Sequence, residues 1–124
     1  MGWLERRKQR RRQEKELKAE DARLRGLTPQ EIAKKVLASD LAECVPTGDS
    51  TKLAEQIAQL TDHERYILAM AAEGKSAHEI ALWLFDPLQR VHRQLRRILE
   101  QHLGVAHGAA GDWLVRRRRK SEGY

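Results

Sequence analysis

Arginine and glutamine are concentrated in one stretch of this sequence, which reads QRVHRQLRR at residues 89–97. Both residue types can form paired hydrogen bonds to the edge of a base, arginine to guanine and glutamine to adenine. No acidic residue lies between Asp86 and Glu100, whereas a helix that serves only solubility carries both signs of charge on its exposed face. The stretch therefore indicates a surface that meets a polyanion, and base-edge recognition is the chemistry open to it.

The elements that would position these side chains are short helices with clear start and stop signals. A Ser, Thr or Asp followed three residues later by Glu or Gln is the pattern of a capping box. The sequence has this pattern at Thr28–Glu31, Thr61–Glu64, Ser76–Glu79 and Asp86–Gln89. Gly74 and Gly104 are placed to end helices, and Pro87 suits the first position of one.

The helix predicted from Pro87 to Leu103 carries its apolar residues on one face, and these are Leu88, Val91, Leu95 and Leu99. Its arginines and glutamines occupy the opposite face. Because only a few residues separate it from the helix before it, the two must cross steeply. The sequence thus predicts an all-α fold: a small helical domain with a helix-turn-helix, flanked by basic N- and C-terminal arms.

Composition restricts the class of protein further. The chain of 124 residues suffices for one domain with flanking arms, and no apolar run reaches the ~18 residues of a membrane-spanning helix. Cys44 is the only cysteine, which excludes an intrachain disulfide and a thiolate metal cluster. The His-Glu pairs at His63 and His78 lack the second histidine of the zinc protease motif. We expect no enzyme, and no catalytic residue, metal or cofactor.

The positive charge lies mainly at the two ends of the chain. Residues 1–25 contain ten basic and five acidic residues, and residues 112–124 contain five basic and two acidic ones, in a chain of net charge +6. Basic arms of this kind bind phosphates without reading sequence. In the C-terminal arm the candidates for phosphate contact are Arg116, Arg117, Arg118, Arg119 and Lys120.

These observations divide the chain into four parts. We predict a basic, partly helical or disordered arm at residues 1–26, a helical extension at 27–59, the helix-turn-helix at 60–105, and a Gly/Ala linker with a basic tail at 106–124.

Residues 60–105, LTDHERYILAMAAEGKSAHEIALWLFDPLQRVHRQLRRILEQHLGV, resemble the LuxR/GerE-type helix-turn-helix domain. The matching motifs are, in order, Leu60-Thr61, Glu64-Arg65, Ile67-Leu68, Ala72-Glu73-Gly74, Ser76, Glu79-Ile80-Ala81, Leu84-Phe85, Val91, Ile98-Leu99 and Leu103-Gly104-Val105. Region 4 of sigma factors has the same architecture. The resemblance covers a little over a third of the chain and implies a DNA-binding domain.

The resemblance also implies roles for individual residues. The candidates for contact with base edges are Gln89, Arg90, His92, Arg93 and Arg96. The candidates for phosphate contact, besides those in the tail, are Lys75, Ser76, His78 and Arg97.

The sequence departs from the family pattern in three places. Asp86-Pro87 replaces the usual hydrophobic residue and serine at the entry of the recognition helix. The segment between Ile98 and Leu103 is one residue longer than usual. The family's fourth helix, which often makes the dimer contact, is absent or replaced by AHGAAGDWLVRRRR.

We therefore expect a DNA-binding transcriptional regulator whose recognition helix, at about residues 87–103, enters the major groove. Its partner would be double-stranded DNA, without a membrane partner, in the cytoplasm of a bacterium and associated with the nucleoid, as a bacterial or phage-encoded protein. One alternative is an adaptor that docks on RNA polymerase or another complex, as sigma region 4 does. Another is a phage- or plasmid-type DNA packaging or partition protein. A homodimer is left open.

Overall fold

The computed structural model describes residues 15–121, with side chains as far as Arg119. All regular structure in this part is helical, which confirms the all-α prediction. The elements are α1 (residues 15–25), α2 (Pro29–Ala38), a 3₁₀ turn (Asp40–Glu43), α3 (Ser50–Ala58), α4 (Asp62–Ala72), α5 (Ala77–Leu84), α6 (Leu88–Arg97), a π-helical turn (Ile98–His102) and α7 (His107–Ser121). None of these described helices has the length and apolar character needed to cross a membrane.

Three of the predicted capping boxes form, at the starts of α2, α4 and α5. In each, the hydroxyl of Thr28, Thr61 or Ser76 accepts a hydrogen bond from the amide three residues later. The glutamate at that later position accepts one in return from the amide of the capping residue. These local contacts satisfy amides that have no partner inside the helix, and the three predicted helix starts are confirmed.

The fourth predicted box, at Asp86, does not form. Pro87 has an extended backbone with ψ 139°, so that α6 begins at Leu88 and no side chain caps it. Asp86 then lies one residue too far from the helix to reach its first amides. Its carboxylate lies 3.6 Å from the guanidinium of Arg90 instead.

One hydrophobic cluster connects the described helices, from Leu24 in α1 to Leu114 in α7. α2 packs against α3 and α4, so residues 27–59 share their core with the helices that follow. α5 packs against α6, and Val91 and Leu95 of α6 are fully buried. Their burial fixes the rotation of α6 and turns its opposite face outward.

A π-helical turn directly follows α6. The amide of Leu103 donates to the carbonyl of Ile98 at 3.1 Å, five residues back. A π turn holds one residue more than an α turn. Ile98, Leu99 and Leu103 are all fully buried, so the apolar face of α6 continues through this turn.

The sequence predicts a Gly/Ala linker and a basic tail at residues 106–124. This prediction is wrong for His107–Ser121, because these residues form the helix α7. This helix packs against α5, α6 and the π turn, with Ala110, Trp113 and Leu114 buried. Burial of a tryptophan side chain removes roughly 200 Å² of its surface from contact with water. That gain outweighs the helix penalty of about 1 kcal/mol for each of Gly108 and Gly111. The helix α7 therefore follows the π turn, where the sequence predicts a linker and a basic tail.

Candidate nucleic-acid interface

The outward side of α6 carries four exposed polar residues, which we call the basic face: Gln89, Arg90, Arg93 and Arg97. Gln89, Arg93 and Arg97 follow one another at intervals of four, so they share one side of the helix. Arg90 lies beside them. Arg93, at the centre, has no ion-pair partner among the described residues, so its guanidinium is available to a ligand.

Two predicted base-contact residues, His92 and Arg96, lie at the side of α6 that α7 covers. Both are half-buried. The Nη2 atom of Arg96 lies 3.4 Å from Nε2 of His107 in α7, and its Nε is buried without a hydrogen-bond partner among the described residues. Burial lowers the pKa of His92, and the charges of Arg118 and Arg96 lower it further. The structure thus separates these two residues from the basic face.

The predicted phosphate contacts at the start of α5 differ in accessibility. Ser76 is fully buried, and its hydroxyl is committed to the capping box with Glu79 at 3.2 Å. The structure therefore does not support the prediction that Ser76 contacts phosphate. Lys75 is half-buried, with its ammonium 5.1 Å from the centre of the Trp83 ring. His78 is exposed and remains accessible to a ligand.

The run of arginines in α7 is not a uniform basic tail. Arg116, Arg118 and Arg119 are exposed, whereas Arg117 is only 4 % exposed. Successive residues of a helix turn by about 100°, so four adjacent arginines necessarily point in different directions. The side chain of Lys120 lies outside the described residues.

Arg117 is held by contacts inside the fold. Its Nη1 donates to the carbonyls of Ala71 at 2.7 Å and Lys75 at 3.0 Å. Its Nε donates to Asp40 at 3.2 Å, and its Nη2 pairs with the same carboxylate. The guanidinium also lies 4.7 Å from the centre of the Trp113 ring. The burial and internal contacts of Arg117 are those of a structural residue and do not support its prediction as a phosphate contact.

A signal for α7 was present in the sequence. Ala110, Trp113, Leu114 and Arg117 are spaced as one face of a helix, and all four are buried. The small residues before Trp113 concealed this face, since glycine and alanine in AHGAAGD suggested a linker.

Comparison of the chain with known protein families, with curated proteins and with solved structures finds no match. The resemblance to the LuxR/GerE domain therefore stays a prediction. What α6 can bind must be judged from its own side chains and their surroundings.

Proposed function

We propose that this protein is a DNA-binding regulator of transcription, in which α5 and α6 form a helix-turn-helix. The two helices pack against each other and are joined by the three residues from Phe85 to Pro87. In DNA-binding proteins with this motif, the second helix lies in the major groove and the first crosses the backbone. In this proposal α6 is the recognition helix.

The basic face of α6 is the observation that carries the proposal. Gln89 and Arg97 lie eight residues apart, about 12 Å along the helix axis and thus the length of three to four base-pair steps. Arginine pairs with guanine and glutamine with adenine, and each good pair discriminates against a wrong base by about 1–3 kcal/mol. We expect Arg93 to contribute most to sequence preference because it is central and forms no ion pair with any described residue.

The first test is selection from a random duplex DNA library by the full-length protein at near-physiological salt. We expect an enriched motif. Arg93→Ala should weaken binding to that motif about 5- to 150-fold and relax the preference at one base pair. Lys52→Ala is the matched control, because Lys52 is an exposed cation on α3 and its loss changes the net charge by the same amount.

The two variants separate sequence recognition from simple charge attraction. If Arg93→Ala and Lys52→Ala retain the same motif with the same small loss of affinity, α6 does not read bases. Absence of any enriched motif from the wild-type selection would also contradict a sequence-specific regulator.

A second candidate function is docking on RNA polymerase, and the exposed residues at the end of α5 favour it. Phe85 is 95 % exposed and Leu82 is 64 % exposed. Phe85 also has a left-handed backbone with φ 55°, and strained, exposed aromatic residues are typical of binding sites.

The docking candidate is tested with purified RNA polymerase in the absence of DNA. Phe85→Ser should abolish binding. Val115→Ser should preserve it, because Val115 is an exposed apolar residue on α7, away from the end of α5. Equal binding by both variants would rule out this role for Phe85.

A further inference from the structure

α7 lies along the side of α6, next to the basic face. His107, Gly111 and Arg118 are separated by four and seven residues, so they share one side of α7. That side faces α6, because His107 Nε2 lies 3.4 Å from the Arg96 guanidinium. A Cβ atom placed on Gly111 would lie 3.1 Å from the same group. The absence of a side chain at Gly111 permits this close approach.

The two helices run in opposite directions. His107, at the start of α7, has its Nδ1 2.5 Å from the carboxylate of Glu100, beyond the end of α6. Three turns later Arg118 acts electrostatically on His92, in the first half of α6. Arg118 is exposed. Its guanidinium therefore belongs to the same side of the molecule as the N-terminal half of α6.

The neighbouring arginines are directed elsewhere. Arg116 lies 3.6 Å from Glu43 and 4.0 Å from the sulfur of Cys44, on the 3₁₀ turn and the residue after it. Arg117 is buried against Asp40. Arg118 alone of these three extends the positive surface of α6.

We infer that α7 is a second DNA-contacting element, in which Arg118 binds a backbone phosphate at the edge of the groove that α6 occupies. This inference rests on the proposed function of α6. Arg118 flanks α6 rather than projecting from its outward face, so it meets the phosphates that border the groove rather than the bases within it. Phosphate contacts of this kind fix the register of a protein on DNA.

The charge distribution supports a duplex as the occupant. Arg96, Arg118 and the exposed Arg93 bring three positive charges to adjoining surfaces of α6 and α7. Glu100 is paired with His107 and lies at the far end of α6. A polyanion relieves the repulsion among such charges and releases its own counterions.

The experiment measures the affinity of full-length variants for two duplexes, the selected motif and an unrelated sequence, between about 50 and 200 mM salt. Arg118→Ala should weaken binding to both duplexes by the same factor and reduce the slope of log affinity against log salt by about 1. Arg118→Lys should restore the slope because it keeps the charge. Arg116→Ala is the matched control, with one arginine removed from the same helix, and should retain the wild-type slope.

The outcomes distinguish the inference from the function on which it rests. If Arg118→Ala behaves like Arg116→Ala while Arg93→Ala still changes sequence preference, α7 does not contact DNA and the proposed function stands. If the wild-type protein shows no salt-sensitive binding to duplex DNA, or binds only single-stranded RNA, both are wrong. Circular dichroism of each variant establishes that it folds.

Discussion

At the scale of single residues, Arg117 shows how the environment of a side chain decides its role. It lies in the most basic string of the sequence, yet all of its described hydrogen bonds are internal. The planar guanidinium can serve one carboxylate and two carbonyls together, which a lysine ammonium cannot do with the same geometry.

Replacement of Arg117 should therefore destabilise the fold. We expect Arg117→Met to lower the free energy of unfolding by about 3 kcal/mol, since it removes a buried guanidinium that donates to Asp40 and to two backbone carbonyls. The figure is at the lower end for a buried pair because the Asp40 side chain is 35 % exposed. Urea unfolding followed by circular dichroism measures the effect.

Arg116→Met is the control for this substitution. Arg116 is exposed and lies 3.6 Å from Glu43, and surface pairs of this kind contribute about 0–1 kcal/mol. Similar urea midpoints for Arg117→Met and Arg116→Met would show that the contacts of Arg117 do not stabilise the protein.

The residue types and their spacing in the sequence were sufficient to predict the basic face, but not which neighbouring residues lie outside it. Gln89, Arg90 and Arg93 could be predicted as accessible because burial of Val91 and Leu95 follows from their spacing. The half-burial of His92 and Arg96 could not be predicted, because it depends on α7. The position of α7 is set by contacts with residues that are far away in the sequence. Asp40 and Arg117, for example, are 77 positions apart.

At the scale of elements, the helix starts were predictable where a local contact fixes them. The boxes at Thr28, Thr61 and Ser76 each need only four consecutive residues. At Asp86 the same pattern failed because Pro87 holds an extended backbone that starts α6 one residue later. The left-handed conformation of Phe85, which ends α5, is a second reason why the capping box at Asp86 does not form.

The turn at Phe85 gives a prediction for the α5–α6 connection. A left-handed backbone costs a residue with a Cβ about 1–2 kcal/mol, and glycine avoids this penalty. Phe85 is almost fully exposed, so its removal sacrifices little packing. We expect Phe85→Gly to raise the free energy of unfolding by about 1 kcal/mol in urea titrations.

Phe85→Ala serves as the control because alanine keeps the Cβ and loses the ring. It should give no such gain. If both variants change the free energy of unfolding by the same amount, loss of the ring causes the change. The backbone at Phe85 is then not strained.

At the scale of the whole molecule, Glu73 joins three helices. It caps the end of α4 and lies 2.7 Å from Arg23 of α1 and 3.0 Å from Lys35 of α2. The hydrogen bond from Arg23 is the main reason why the pKa of this carboxyl is lowered to about 2. A pKa lowered in the folded state means that the ionised carboxylate favours folding.

The stability of the protein should therefore depend on pH in acid. The contribution of Glu73 is present above about pH 4.5 and is lost as the pH falls towards 2. We expect Glu73→Gln to lower the free energy of unfolding by roughly 1–2 kcal/mol at pH 7, a value reduced for solvent screening at the half-exposed Arg23. The difference from the wild-type protein should shrink by pH 3.

Glu55→Gln provides the comparison, because Glu55 is an exposed carboxylate on α3. Its unfolding curve should follow the wild-type one throughout. A Glu73→Gln difference that is unchanged between pH 7 and pH 3 would mean that the carboxylate charge does not hold α1 and α2 to α4.

The indole of Trp113 donates to Asp40 at 2.9 Å, the carboxylate that Arg117 also contacts. This shared contact bears on how related chains could be recognised. Two residues inserted between Trp113 and Arg116 would leave the composition of the arginine run unchanged but turn it by about 200°, and no arginine would then lie four positions after Trp113. Arginine content is therefore a poor guide to shared architecture. A better one is an aspartate just after α2 combined with a tryptophan and an arginine four residues apart near the end of the chain.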